Sequence, residues 1–109
     1  MVALTFCSCA IWSPLSRNDA AAKAQVEKWV PVGTLMADAQ HIMEQHRFKC
    51  GLNTTGSWKG QRNNVPGAVY LECSFTERDL FTNENWRVAL FVENDKVKSV
   101  DIDIYEEGP

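Results

Sequence analysis

WVPVGTLMADAQHIMEQHRF, Trp29 to Phe48, is the stretch of this chain with a strong helical pattern. Leu35, Met36, Ala39, Ile42 and Met43 recur at i, i+1, i+4, i+7 and i+8, one apolar stripe at helical period. Asp38, Gln40, His41, Glu44, Gln45 and Arg47 take most of the opposite face. Pro31 and Gly33 punctuate the approach. Thr34 is placed to cap the helix, since its hydroxyl can accept one of the orphan N–H groups of the first turn. Asp38 suits the positive end of the helix dipole, and His46 and Arg47 suit the negative end. Such a helix, about thirteen residues long, is unstable alone in water, so it must dock on something.

What it docks on follows in the sequence. After Phe48 the apolar period changes from helical to two. Phe48, Cys50 and Leu52 alternate with polar or small residues, as do Val69, Leu71, Cys73 and Phe75, then Trp86, Val88, Leu90 and Val92, then Val100, Ile102 and Ile104. Asn94-Asp95 is a two-residue hairpin signal between the last two runs. Val97 has the opposite parity to Val100, which predicts a bulge between them. These segments predict an α+β domain in which one main helix covers one face of a 3–4-stranded antiparallel sheet.

Working outward toward the N-terminus, Ser13–Lys28 reads as a tether. It becomes a weak helix over Asp19–Lys28, with Asn18 as its cap and with Val26 and Trp29 as its large anchors. Met1–Trp12, MVALTFCSCAIW, is apolar and uncharged. It is shorter than the roughly 20 residues that span a bilayer as a helix. Its apolar run and small-residue end match the core of an export leader, and a start upstream of Met1 would supply the missing basic end. Ser8 before Cys9 matches a lipoprotein cleavage box, with Cys9 as the lipidated residue. The plain alternative is the frayed terminus of a cytoplasmic protein. The expected organisation is therefore a leader and tether over 1–28 and a small domain over 29–109.

The whole-chain numbers bound the rest. A chain of 109 residues supports one domain with a modest core. Hydrophobic residues make up 45%, which excludes a globally disordered chain. The net charge is −3. Trp58-Lys59-Gly60-Gln61-Arg62 mixes an aromatic ring with two cations, as nucleic-acid loops do, but the acidic balance argues against nucleic acid.

Cys50 and Cys73 each follow an apolar and a charged residue, in Phe48-Lys49-Cys50 and Leu71-Glu72-Cys73. Period two puts each on the sheet face that the helix covers, and adjacent strands would bring the two within bridging distance. A bridge closing a loop of about 23 residues contributes roughly 3 kcal/mol on the chain-entropy account. It also requires an oxidising compartment, in keeping with export. The alternative is a pair of free thiols, one of which could act as a nucleophile with His46 as its base. Metal binding is not indicated. No compact zinc spacing appears, and His41 and His46 lie about 140° apart around the helix axis. Asp101 and Asp103 read as the solvated face opposite Val100 and Ile102, and Asn53-Thr54-Thr55 is a glycosylation sequon. No phosphate-binding or dinucleotide glycine fingerprint appears, so no cofactor is implied.

Gly51–Ala68 contains four glycines and Pro66 and reads as a long loop, with a short strand near Ser57–Lys59. Its functional reading is a contact loop with Trp58 as the anchor and with Lys59 and Arg62 beside it.

The leader-like start, the Val-Pro-Val-Gly-Thr that opens the helix at Gly33 and Thr34, and the Trp86–Val100 hairpin with its Asn-Asp-Lys-Val turn carry a resemblance. The chain resembles small bacterial lipoproteins of the SmpA/OmlA type, whose domain looks like half of the β-lactamase-inhibitor-protein fold. The resemblance covers about 75 residues. It implies a non-enzymatic envelope scaffold or protein–protein interaction module, located in the periplasm or at the outer membrane. Its partner would be another envelope protein, and its membrane association would run only through a lipid anchor or leader. Two alternatives stand beside it: a small thiol enzyme or hydrolase using Cys50 or Cys73 with His46, and an intracellular regulatory binding module.

Overall fold

The computed structural model describes residues 15–60, 63–78 and 80–107. Met1–Pro14, with Cys9, lie outside the described residues, and so does Arg62. The fold is α+β. Helices α1 (Asp19–Trp29) and α2 (Met36–Gln45) are followed by strands β1 (Lys49–Lys59), β2 (Asn64–Arg78), β3 (Asn83–Glu93) and β4 (Lys96–Glu107). The strands form an antiparallel meander in the order β1-β2-β3-β4. Leu35 adds an isolated bridge to Lys96 outside β4, so the sheet is larger than the alternating runs alone predict.

The inner face carries the main core. Leu71 and Cys73 of β2, Trp86, Val88 and Leu90 of β3, and Val97, Val100 and Ile102 of β4 meet Ala39 and Met43 of α2 with Phe48. Burying each large apolar side chain contributes roughly 1.5–3 kcal/mol, which is the docking that α2 requires. The expected bulge is present. The register shifts between Phe91 and Val92, so that Phe91 faces Ser99 while Val92 faces Val97. The extra residue restores parity and lets Val97 and Val100 both point inward. Asn94 and Asp95 sit at φ 54° and 64°, the left-handed pair that a two-residue hairpin turn requires.

Two local readings of the Trp29–Phe48 stretch are corrected. Thr34 does not cap α2. Its hydroxyl donates to the Pro31 carbonyl at 2.6 Å, inside a turn closed by Thr34 N–H on the same carbonyl at 3.1 Å. Gly33 holds φ 99° there, a conformation that side chains disfavour. This turn is tied to β4, since Gly33 N–H donates to Val97 O and Val97 N–H to Thr34 O, both at 2.8 Å. Leu35 therefore belongs to the bridge and not to the helical stripe. At the other end, Arg47 takes φ 73° and the chain closes a Schellman cap. Arg47 N–H donates to Glu44 O at 3.0 Å and Phe48 N–H to Met43 O at 3.1 Å.

The boundary expected at residue 29 is also moved. Asn18 does cap α1, accepting from Ala21 N–H at 3.0 Å. The helix is no tether, however, because Leu15, Ala22 and Val26 are buried in the same core as α2. Trp86 Nε1–H donates to the Ser16 carbonyl at 2.9 Å and pins the approach to α1 under the sheet. The small alanines let α1 come close, so few large anchors are needed. Among the described residues, the shared core therefore includes the chain from Leu15.

Candidate interaction surface

Cys50 and Cys73 face each other directly across β1 and β2 and form a disulfide, with Cα atoms 4.0 Å apart. The bridge lies on the inner face, as the parity of the strands requires. With both sulfurs bonded to each other, neither is a thiol, so the Cys–His46 alternative has no nucleophile in this state. His46 caps α2 and stacks on Trp29, with ring centroids 3.6 Å apart and planes 9° from parallel.

The Gly51–Ala68 segment is not a loop. β1 continues to Lys59 and β2 begins at Asn64, with register shifts on either side of Gly56. These irregularities curl the far end of the hairpin onto the outer sheet face. The hydrogen-bond network shows how far. In a flat sheet β1 and β4 lie three spacings apart, roughly 14 Å, beyond the reach of an indole. Yet Trp58 Nε1–H donates to Asp101 Oδ2 on β4 at 2.6 Å, and Asn63 Nδ2 donates to Asp101 Oδ1 at 3.1 Å.

Trp58 is therefore fully buried (0% exposed), in a second small core with Tyr70, Ala89 and Phe91. Tyr70 meets its ring edge-on at 5.5 Å, and the Arg87 guanidinium sits 4.6 Å from the ring centroid. Arg87 is itself held by Glu72 at 3.3 Å, by Asp103 at 3.2 Å and by the Lys59 carbonyl at 3.3 Å. Burial, more than the neighbouring Glu72 charge, raises the Tyr70 hydroxyl above its ordinary pKa of 10.0, with Arg87 pulling the other way. Gly60 makes this packing possible, because a Cβ there would stand 2.9 Å from Trp58 Nε1.

This geometry corrects the contact-loop reading. Trp58 is a core anchor and cannot also be the exposed anchor of a partner. Lys59 is exposed, and its backbone serves the Arg87 network. Asp101 and Asp103 are not a solvated face: Asp103 is buried and Asp101 half-buried, each holding a member of the Trp58 cage.

The two most exposed large apolar side chains among the described residues lie at the other end of the sheet. Between β2 and β3, Leu80 and Phe81 are 87% and 72% exposed, two bulky apolar neighbours at a hairpin tip. Arg17, Glu77, Arg78, Thr82, Glu84 and Glu106 line a polar cleft at this end. Beside it, Arg47, Lys49, Ser74, Phe75, Thr76 and Arg78 line a second cleft of about 360 Å³. Sequence patterning passed over Leu80 and Phe81 because they fall outside every alternating run. The signal was their position, two large apolar residues where the turn between two strands had to lie.

The chain is thus a two-layer α+β domain with a cross-strand disulfide, a second core on its outer face and an exposed apolar hairpin tip. No protein-family model, no curated protein and no solved structure matches it.

Proposed function

We propose that the chain is a non-enzymatic, exported interaction module that presents its β2–β3 tip to another envelope protein. The observation that carries this is the exposed Leu80-Phe81 pair. Adjacent bulky apolar side chains on a hairpin tip, rimmed by charged residues, are suited to seat in a partner's pocket. The Cys50–Cys73 bridge supports the exported location, since such bonds persist in oxidising compartments. Two helices followed by an antiparallel meander also suit the resemblance to the SmpA/OmlA-type lipoproteins. On that reading a lipid on Cys9 would hold the domain at a membrane.

The test is a photo-crosslinking residue placed at position 81, with the exposed position 28 of α1 as control, in cells that make the protein. The expected result is one discrete protein adduct from 81 that disappears when Leu80→Ser is added, and none from 28. Equal labelling from both positions, or no adduct from 81, rejects the reading.

A further inference from the structure

We propose that the open edge of β2 at Ser74–Arg78, beside the tip, takes an acidic extended segment of the partner as an added strand; this rests on the tip being the docking end. β1 begins at Lys49 opposite Ser74, whereas β2 runs on to Arg78. Phe75, Thr76, Glu77 and Arg78 therefore pair with β3 on one side, and among the described residues nothing pairs with them on the other. The close Cα approach of Cys50 and Cys73, 4.0 Å, marks a non-hydrogen-bonded pair. By alternation Ser74, Thr76 and Arg78 turn their amide and carbonyl groups toward the β1 side. Beyond Ser74 those of Thr76 and Arg78 have no strand to meet. Unpaired strand edges are templates for a further strand.

This edge is rigid. Phe75 packs between Phe48, at 5.7 Å, and Trp86, at 5.5 Å, so its backbone is fixed from the inner face. It is also cationic. The cleft beside it is lined by Arg47, Lys49 and Arg78 with no carboxylate, on a chain whose net charge is −3, and Glu77 in the same stretch of β2 is paired with Arg17 at 3.2 Å. Lys49 and Arg78 have no ion-pair partner among the described residues. Lys49 and Arg78 beside an open strand edge fit a strand with carboxylates at alternate positions, whose charged groups would meet them while its backbone completes the ladder.

The test uses the disulfide-bonded protein and a fluorescent decapeptide of alternating Glu and Val, followed by anisotropy and by amide chemical-shift mapping. The expected result is saturable binding that shifts the amides of Ser74–Arg78. Binding should weaken at least tenfold with Lys49→Glu plus Arg78→Glu, and with a peptide N-methylated at alternate residues that keeps its charge. No binding, equal binding of a Lys–Val peptide, shifts centred elsewhere, or no loss on N-methylation each overturns the proposal. So does a concentration-dependent dimer through this edge, since the occupant would then be a second copy. Folding of the double variant is checked by its retained thermal transition. If it still gives the position-81 adduct at full yield, the tip reading stands while the edge proposal fails.

Discussion

The two faces of the sheet are buried by different means. The inner face is sealed by helices whose apolar stripes meet alternating Val, Leu, Ile and Trp, with a disulfide set among them. The outer face is sealed by the sheet itself. The end of the β1–β2 hairpin curls over and lays one indole on Ala89, under a guanidinium and against a carboxylate. The inner arrangement is non-directional and tolerates variation in which apolar residue is used. The outer one depends on specific polar partners, because a buried indole N–H or a half-buried arginine is costly without them. The hairpin that looked like a recognition loop is spent on closing the outer face, which is why the recognition surface proposed above is the tip and edge of β2.

If the outer cluster is a true core, Trp58→Ala should destabilise the protein as much as the inner-face Trp86→Ala. Both are expected to cost about 3–5 kcal/mol in urea unfolding. A Trp58→Ala cost under about 1 kcal/mol would reduce the outer face to surface decoration. Next in size is the inner-face staple. Replacing Cys50 and Cys73 with serine should cost roughly 3 kcal/mol and leave the Trp58 cage intact, as seen by near-ultraviolet circular dichroism. Loss of the indole signal along with the bridge would mean that the two faces do not stand separately.

A smaller effect is expected at Gly60. Gly60→Ala forces its Cβ against Trp58 Nε1 and should cost about 1–3 kcal/mol, whereas Gly51→Ala, whose Cβ meets nothing within 4 Å, should not pay a clash. The smallest effect is read in alkali. The Tyr70 pKa is raised in the folded state, so its contribution is intact below the unfolded value near 10 and is lost as pH rises through the folded value. Between pH 10 and 12 the wild-type Tm should therefore fall more steeply than that of Tyr70→Phe. Parallel curves would count against a buried hydroxyl.

The same contrast explains what was legible in the residues. Periodicity is local, so the inner-face alternation, the Val97 bulge, the Asn94-Asp95 turn and the Cys50–Cys73 pairing could all be read from neighbours in sequence. The α1 packing was hidden by its alanines, which carry little apolar signal yet permit close approach. The outer face was hidden for a different reason. Gly51, Gly56, Gly60 and Pro66 break the alternation and imitate a loop, while the bond that defines the site joins Trp58 to Asp101 across 43 residues. Asp101 and Asp103 alternate as solvated carboxylates would, and only the curl of the hairpin brings a ring and a cation over them. Leu80 and Phe81 lay in a turn, where no period applies.

The most direct measurement is the hydrogen-exchange rate of two indole N–H groups in the native protein, resolved by NMR. Trp86 donates to the Ser16 carbonyl under the inner face, and Trp58 donates to Asp101 on the outer face. A core on each face requires that both are strongly protected, and that Asp101→Asn speeds exchange at Trp58 and leaves Trp86 unchanged. Exchange at Trp58 as fast as a free indole, with Trp86 still protected, would contradict it.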